Sequence, residues 1–254
     1  MLKQALLRFM GADQEEQRFH ATFNRVIAQG RYLDGREGLL LDIGARDGGH
    51  TRTFLDALAA RQATAAKTRG AATSGWEPVI VELNPDYLAD ARTHFRCVAA
   101  NAERALPFSD RAAACVVINQ ILEHIKDPFH LLAECDRVLN VGGTLIIGVP
   151  NLAGLMNRVY LLMGRQPPAI HMPGPHVRGY TLGALRAYLA TNSNFRMRRF
   201  FGSCLYPLPP FLSEPAAVAF PGLASYIFFV LEKVKDAQPS AWQVGAESGE
   251  THYT

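Results

Sequence analysis

Short apolar runs alternate with amphipathic stretches along the chain from Leu39 onward. This alternation is typical of βαβ units, in which helices join the strands of a largely parallel sheet. We therefore expect an α/β fold with a seven-stranded mixed sheet and helices on both faces. The apolar runs place the strands at Leu39–Ile43, Val79–Leu83, Phe95–Ala99, Cys115–Asn119, Thr144–Val149, about Phe195–Phe201 and about Ala224–Leu231.

The clearest helix follows the fourth predicted strand. Asp127 suits its N-cap, Pro128 its first turn, and Gly142 follows its end. A helix starting at Asn151 and another starting at Thr181 are also expected. The Asn151 helix carries a stripe that is typical of a buried core face: Leu152, Leu155, Met156, Val159 and Leu162.

The chain of 254 residues fits one large domain, which we place at residues 39–235. Residues 1–38 predict an N-terminal helical cap made of two amphipathic stretches. Residues 61–75 are rich in Ala, Thr and Gly and lack periodicity, which indicates a surface insertion. Residues 236–254 are polar and predict a flexible tail.

Composition and charge exclude several classes of protein. With 48% hydrophobic and 19% charged residues, the chain is not collagen-like, coiled-coil or wholly disordered. A net charge of +3 is too small to indicate a nucleic-acid partner without a clustered basic patch. The densest basic run is Arg196, Arg198 and Arg199, which we interpret as a solvated strand edge.

Cysteine usage and apolar segments indicate a cytoplasmic protein. The four cysteines lack the spacing of a zinc site and predict reduced, mostly buried thiols. The N-terminus is a poor signal peptide. The uncharged segment Pro215–Leu231 contains Pro221 and Gly222 and is too short to span a bilayer. Docking of the apolar region 205–231 on a membrane, with a lipid acceptor, stays open as a secondary alternative.

The first strand ends in Asp42-Ile43-Gly44-Ala45-Arg46-Asp47-Gly48 and leads into a helix. Glycines at such a turn let the backbone approach a ligand and present amides at a helix N-terminus. Asp42 would repel a pyrophosphate and favour a cationic ligand. The GxGxxG pattern of NAD-dependent oxidoreductases is absent, because Arg46 stands where its second glycine would be.

The second strand ends in Val81-Glu82-Leu83-Asn84-Pro85, which places a carboxylate at its carboxyl end. In a doubly wound sheet this end faces the ligand crevice, and a carboxylate there can accept both hydroxyls of a ribose. An isolated acid at a strand end is more often a solvated cap. Its pairing with the preceding glycine turn favours the nucleoside interpretation.

The run from Leu39 to Asn151 resembles class I S-adenosylmethionine (SAM)-dependent methyltransferases, closest to the type 11 group. Residues 42–48 resemble the DxGxGxG loop of that family, and residues 82–88 its acidic ribose-binding turn. Further motifs follow in family order at 101–103, 106–110, 119–128 and 142–151. The resemblance implies a Rossmann-like sheet with the last strand antiparallel, and SAM as the cofactor.

The resemblance also assigns the cofactor-binding residues. It implies that Asp42 and the amides of the glycine loop hold the methionine moiety and its ammonium group, and that Asn119 contacts the same moiety. Glu82 should bind the ribose, Leu83 and Ala102 should sandwich the adenine, and Asn101 should bond its exocyclic amine. The loop residues concerned are Gly44, Ala45, Arg46 and Gly48.

Three departures from the family pattern favour an alternative. Arg46 replaces a usual glycine, Asn101 replaces a usual Asp, and the stretch between Gly48 and Glu82 is unusually long. The alternative is a catalytically inactive, methyltransferase-like protein that binds SAM or regulates another protein.

Candidate catalytic residues follow the fourth and fifth strands. His124 serves either as a general base or, as we favour, in positioning and packing. His176, with His171 and Tyr180, forms a second group on a loop within the segment 151–192, the usual side of acceptor recognition; the alternative is a turn with exposed histidines. Neither an HxxxH spacing nor a carboxylate-rich cluster is visible, so no metal is expected.

We therefore expect methyl transfer from SAM to an oxygen or nitrogen of a small-molecule or glycan acceptor. Nucleic acid is not an expected partner, and the sequence carries no signal for oligomeric state.

Overall fold

Seven strands form one sheet in the computed structural model, which describes residues 22–27, 32, 33, 36–69, 75–170, 174–236 and 242. The strands are β1 (Gly38–Ile43), β2 (Trp76–Glu82), β3 (Arg96–Ala99), β4 (Ala113–Asn119), β5 (Leu139–Pro150), β6 (Phe195–Ser203) and β7 (Tyr226–Lys233). Their order in the sheet is β3-β2-β1-β4-β5-β7-β6. Strands β1 to β5 pair in parallel, and β7 runs antiparallel to both β5 and β6. The predicted Rossmann-like mixed sheet with an antiparallel last strand is confirmed.

Helices and short 3₁₀ turns connect the strands. The helices are α1 (Gly49–Arg69), α2 (Pro85–Ala91), α3 (Pro128–Val138), α4 (Leu155–Leu162), α5 (Leu182–Thr191) and α6 (Pro210–Ala219), and residues 22–27 are also helical. As predicted, the Asp127 carboxylate caps α3 by accepting hydrogen bonds from the amides of Phe129 and His130, both at 3.1 Å. Thr181 caps α5 through the amide of Ala184.

Two hydrophobic clusters cover the faces of the sheet. Leu41, Ile43 and Ile118 point into the cluster that packs against α3 and α5, whereas Leu40 and Val117 point into the cluster on the side of α1. Parallel strands buried on both faces are held firmly in place. The carboxyl ends of β1, β2 and β4 therefore form a rigid edge, and both sequence motifs lie at that edge.

The N-terminal segment and the expected insertion are partly described. Phe23 and Ile27 are buried against the sheet on the side of α1, so this part of the predicted cap packs on the sheet face. Helix α1 continues to Arg69, so the first part of the expected insertion (61–75) extends a helix instead of forming an irregular loop. This extension accounts for the long stretch between Gly48 and Glu82.

Two expectations about packing are wrong. The predicted core stripe of the Asn151 helix is not buried: the helix begins at Leu155, its side chains are all at least partly exposed within the described part of the chain, and Leu162 is 88% exposed. The expected tail, 236–254, is not frayed at Trp242. That side chain is 2% exposed, and its Nε1–H donates a hydrogen bond to Asp136 Oδ2 at 3.1 Å.

The uncharged segment that begins at Pro215 forms the end of α6, a 3₁₀ turn at Pro221–Leu223 and the buried strand β7. No helix among the described residues has the length and apolarity needed to cross a membrane. The cysteines are free thiols and three of the four are buried, as predicted. Arg196, Arg198 and Arg199 are exposed on the edge strand β6, which confirms the solvated edge.

Candidate functional site

The glycine loop turns the chain sharply at the end of β1. Gly44 has a φ of +73°, and a Cβ atom added to it would lie 2.5 Å from Ile121 Cδ1. Gly48 has a φ of +76°, and its added Cβ would lie 2.8 Å from the Phe95 ring. Both positions therefore require glycine for conformation and for space. The loop backbone lies directly over the carboxyl edge of the sheet as a result.

Arg46 occupies the position where the resembled family has its middle glycine. Its φ of +54° lies in the left-handed region, which costs an L-residue about 1–2 kcal/mol. The guanidinium lies over the Tyr87 ring, 5.0 Å from Cζ to the ring centroid. Glycine would adopt this left-handed φ without strain. The contact with Tyr87 holds the Arg46 side chain at the rim of the cleft that is described below.

Glu82 joins the glycine loop to the turn after β2. Its Oε2 accepts a hydrogen bond from the Arg46 amide at 3.0 Å, and its Oε1 accepts from the amides of Leu83 (2.8 Å) and Asn84 (3.0 Å). A carboxylate offers about four lone-pair positions, so this one retains capacity for a further donor. One carboxylate therefore fixes two loops relative to each other at the edge of the sheet.

A cleft of about 400 Å³ opens beside this carboxylate, a volume in the range of small-molecule sites. Two of the apolar residues that line the cleft differ in exposure. Leu83 is 62% exposed, although it is a large apolar residue, whereas Ala102 is buried. Asn101 Oδ1 accepts a hydrogen bond from the Glu103 amide at 2.8 Å. The cleft brings together seven of the predicted site residues: Gly44, Arg46, Glu82, Leu83, Asn101, Ala102 and His124.

Asp42 lies outside that lining. The residue is 2% exposed, and its Oδ2 accepts a hydrogen bond from the Thr51 hydroxyl of α1 at 2.7 Å. Burial raises the pKa of Asp42 to about 7, and the Thr51 hydrogen bond opposes the rise. The carboxylate therefore lies beneath the glycine loop, bonded to the first turn of α1, and does not face the cleft as Glu82 does.

The end of β4 supplies two amide side chains. Asn119 Nδ2 lies 3.5 Å from His50 Nδ1, while Asn119 Oδ1 and Gln120 Nε2 are buried and have no hydrogen-bond partner among the described residues. Buried amide atoms are normally satisfied, so an unpaired acceptor and donor next to a cleft indicate a polar ligand. Gln120 lines the cleft and was missed in the sequence; Asn119, Ala45 and Gly48 lie near it without being part of its lining.

His124, which lines the cleft, is in contact with His176. Their ring centroids are 4.7 Å apart, and His124 Nδ1 lies 3.3 Å from the Pro175 carbonyl oxygen. Burial lowers the pKa of His124, the neighbouring His176 lowers it further, and the Pro175 contact opposes the change. Because a carbonyl only accepts, this contact puts the proton on Nδ1 and leaves Nε2 with a lone pair.

Glu123 is a site residue that the sequence analysis did not select. Its side chain is 1% exposed, and Oε2 lacks a hydrogen-bond partner within the described ranges. Burial raises its pKa to about 7. Its carbonyl accepts hydrogen bonds from the amides of Val177 (2.8 Å) and Arg178 (3.2 Å), which attaches the His176 loop to the turn that carries His124. Its position next to His124 was the available signal; its burial depends on residues far along the chain.

The rest of the predicted histidine group is divided. Tyr180 donates a hydrogen bond to the Leu122 carbonyl at 3.3 Å, and burial raises its pKa to about 12. It therefore fastens the loop to the turn before His124. His171 lies outside the described residues.

Comparison with known proteins identifies the part of the chain that carries the cleft. Residues 41–147 match the profile of a protein family described as a methyltransferase domain. A curated protein, the uncharacterized 37.1 kDa protein in transposon Tn4556 of Streptomyces fradiae, is 32% identical over 90 residues, which are 35% of this chain. The matched part spans 26% of that protein.

Solved structures share the fold at low sequence identity. The methyltransferase in complex with the Haloferax volcanii Trm112 methyltransferase activator matches with a TM-score of 0.57 and 15% identity, covering 88% of this chain and 93% of that one. A SAM-dependent methyltransferase from Archaeoglobus fulgidus matches with a TM-score of 0.52 and 17% identity, covering 86% and 97%. The [4+2]-cyclase SpnF matches with a TM-score of 0.55 and 15% identity, covering 83% and 81%. Because a cyclase shares the fold, the reaction must be argued from the site.

Proposed function

We propose that this protein, whose residues 41–147 match the profile of a methyltransferase domain, transfers the methyl group of SAM to an oxygen or nitrogen of a small-molecule or glycan acceptor. SAM is the cofactor of this domain class. One observation carries the proposal: Glu82 bonds both the glycine loop and its own turn at a cleft that the exposed Leu83 and the buried Ala102 also line.

The nucleoside end of the cofactor fits the β2 side of the cleft. Glu82 retains lone pairs for the ribose hydroxyls, and Leu83 and Ala102 offer apolar surface to the two faces of the adenine. Asn101 Oδ1 already accepts from the Glu103 amide, and its second lone pair is available to the exocyclic amine. In this arrangement the exposure of Leu83 has a function, because the adenine covers it.

The methionine end fits the glycine loop and the end of β4. The loop 44–48 precedes helix α1, whose N-terminal dipole favours a carboxylate, while its amides at Gly44, Arg46 and Gly48 already donate to protein oxygens. Asn119 Oδ1 and Gln120 Nε2, both buried and unpaired within the described residues, match an ammonium donor and a carboxylate acceptor. Asp42 acts from beneath the loop, through its hydrogen bond with Thr51, and not as a lining residue.

The transfer itself needs alignment more than covalent help from the protein. The acceptor lone pair attacks the methyl carbon in line with the sulfur; the new bond to carbon forms as the S–CH₃ bond breaks. Its electron pair stays on sulfur, which gives neutral S-adenosylhomocysteine. An acceptor that is a hydroxyl or an amine also releases one proton. His124 and His176 are on the acceptor side, where they orient that group.

A cofactor-binding protein without turnover is the second candidate, and Arg46 favours it. Its guanidinium lies over Tyr87 at the rim of the cleft, so a cation stands where the resembled family has no side chain. This candidate predicts that SAM binds but that no acceptor is methylated. It therefore differs from the first only in the acceptor half of the site.

Isothermal titration calorimetry with S-adenosylhomocysteine tests the proposal. We expect micromolar affinity for the parent protein and a loss of at least about tenfold for Glu82→Ala, since one charged hydrogen-bonding group is removed. Glu77→Ala is the matched control, because Glu77 is an exposed glutamate on the same strand and outside the cleft. Absence of heat for the parent protein, or equal affinities for both variants, would contradict the proposal. Release of S-adenosylhomocysteine from SAM in a panel of hydroxyl and amine acceptors separates the two candidates.

A further inference from the structure

Three side chains that bind metal ions converge at the acceptor side of the cleft. Glu123, His124 and His176 each offer one ligand atom, and these atoms lie within 4.8 Å of one another. We propose that these three residues bind one divalent transition-metal ion. The sequence analysis expected no metal, because neither an HxxxH spacing nor a carboxylate-rich cluster is visible. The three residues are brought together only by the fold, since His176 is far from the other two along the chain.

The donor set suits a divalent transition-metal ion. Two imidazoles and one carboxylate are a common protein ligand set for zinc, and also for iron, in sites that keep an open coordination position. At metal–ligand distances of about 2.1 Å, tetrahedral ligands are about 3.4 Å apart, so the three atoms must close by about 1.4 Å at most. His176 lies on the loop between Gly174 and Tyr180, and a rotation of its side chain would have to provide that movement.

The state of Glu123 is a second and independent observation. Its side chain is 1% exposed, and Oε2 has no hydrogen-bond partner in the part of the chain that is described. A carboxylate buried in this way is costly unless a cation or a donor is beside it. A bound cation would supply the partner that the surrounding residues do not.

His124 has the orientation expected of a metal ligand. Its Nδ1 faces the Pro175 carbonyl at 3.3 Å, and a ligating imidazole commonly donates its other N–H to a backbone carbonyl in this way. That contact fixes the ring and presents Nε2 with a lone pair. Pro175 is the residue next to His176, so the same loop both orients one ligand and supplies another.

The loop is attached to the turn that carries the other two ligands. The amides of Val177 and Arg178 donate to the Glu123 carbonyl, and the Arg178 guanidinium donates to the Lys126 carbonyl at 2.9 Å. These bonds do not involve the three proposed ligand atoms, so they hold His176 next to His124 with or without a bound ion. The site is therefore largely preformed, and the ion has to organise only side chains.

The position of the site gives the ion a role, and this role, unlike its binding, rests on the proposed methyl transfer. His124 also lines the cofactor cleft, so an open coordination position on the ion would face the acceptor. An acceptor oxygen bound there loses its proton to solvent more readily, because the cation stabilises the oxyanion. The oxyanion then attacks the methyl carbon. A hydroxyl-bearing acceptor is accordingly the substrate class that this site favours.

Cobalt(II) absorption spectroscopy on tag-free, chelator-treated protein tests the inference. We expect a visible absorption band that saturates at one Co²⁺ per chain and that one equivalent of Zn²⁺ removes. His176→Ala and His124→Ala should each weaken Co²⁺ binding by at least about 100-fold, since loss of a ligand exceeds the effect of losing an outer partner. Glu123→Gln should weaken it as well. His94→Ala and Glu77→Gln alter exposed residues elsewhere and should bind as the parent does.

Calorimetry with S-adenosylhomocysteine on the same samples separates this inference from the proposed function. His176→Ala changes a partly exposed loop residue, so it remains informative if Glu123→Gln fails to fold. Two results overturn the metal site and leave the proposed function standing. The first is cofactor binding without a Co²⁺ band in the parent protein. The second is a Co²⁺ band in His176→Ala and His124→Ala that is as strong as the parent's. A Co²⁺ band that is lost in the two histidine variants, in a protein that does not bind S-adenosylhomocysteine, supports the metal site and overturns the proposed function.

Discussion

The two halves of the cleft are built in different ways. In the half that we propose for the cofactor, backbone conformation and main-chain amides define the geometry: Gly44 and Gly48 have positive φ values, and Glu82 accepts three backbone hydrogen bonds. In the half that we propose for the acceptor, side chains from separate segments meet. The loop that carries His176 is held to the Glu123 carbonyl by hydrogen bonds from two backbone amides. The first arrangement is rigid and limits what can bind, whereas the second can be altered residue by residue without disturbing the sheet. We therefore expect cofactor binding and acceptor handling to respond to different mutations.

The largest effect is expected for Gly44→Ala. The added Cβ would lie 2.5 Å from Ile121 Cδ1 at a φ of +73°, so the strained loop or the Ile121 side chain must shift, and both line the cleft. Affinity for S-adenosylhomocysteine should fall by about 1,000-fold or beyond detection, and the unfolding free energy should fall by about 1–3 kcal/mol. Calorimetry and thermal unfolding measure the two effects. In the control Gly183→Ala, the described residues leave the added Cβ in open space on α5, so affinity should be retained; equal affinities in the two variants would contradict a rigid cofactor half.

His176→Ala should separate the halves in the other direction. Its removal should lower turnover with any accepted substrate by about 100-fold, while the dissociation constant of S-adenosylhomocysteine stays within about twofold. The reason is that His176 contacts His124 on the acceptor side and lies outside the cofactor lining. Initial rates and calorimetry on one preparation give both numbers. A parallel loss of cofactor affinity would show that the two halves are coupled.

Asp42→Asn should change how stability depends on pH. In the folded protein burial raises the pKa of Asp42 to about 7, above the value of an unfolded chain, so the protonated acid favours folding. This contribution is complete below about pH 4 and is lost as the pH rises through about 7. Between pH 5 and pH 8 the variant should therefore gain about 2–3 kcal/mol relative to the parent.

Urea unfolding at both pH values measures the difference for Asp42→Asn, and the exposed Asp90→Asn serves as control. A constant difference between Asp42→Asn and the parent across this range would mean that Asp42 is ionised in the folded protein throughout it.

The smallest effect is expected for Arg46→Gly. Glycine relieves the left-handed strain at a φ of +54° but adds conformational entropy to the unfolded chain, and these effects nearly cancel. The unfolding free energy should change by less than about 1 kcal/mol. The amide that bonds Glu82 is kept, so cofactor affinity should stay within about threefold. A large gain in affinity on calorimetry would show that the Arg46 side chain obstructs the cleft and would favour the candidate without turnover.

The same contrast explains what the sequence could predict. The seven strands and the Asp127 cap follow from local pattern, and so do the turn at Gly44 and the carboxylate at Glu82, since each needs a particular residue at a particular backbone position. Only the position of Glu123 next to His124 pointed to it, because the loop that bonds its carbonyl through Val177 and Arg178 is far along the chain. Nor does composition distinguish a polar tail from one in which Trp242 reaches Asp136.

The placement of Asp42 shows a further limit of sequence patterns. A pattern locates a carboxylate at the end of β1 but does not say what the side chain meets there. Alternation along β1 puts Asp42 on the same face as Leu40, the side of α1, where the Thr51 hydroxyl bonds it beneath the loop instead of at the cleft.

A crystal structure with S-adenosylhomocysteine bound tests the central claim most directly. The account predicts both ribose hydroxyls within hydrogen-bond distance of Glu82, the adenine between Leu83 and Ala102, and the sulfur directed toward the side of the cleft that carries His124. A nucleoside bound outside the cleft, or a ribose that makes no contact with Glu82, would contradict it.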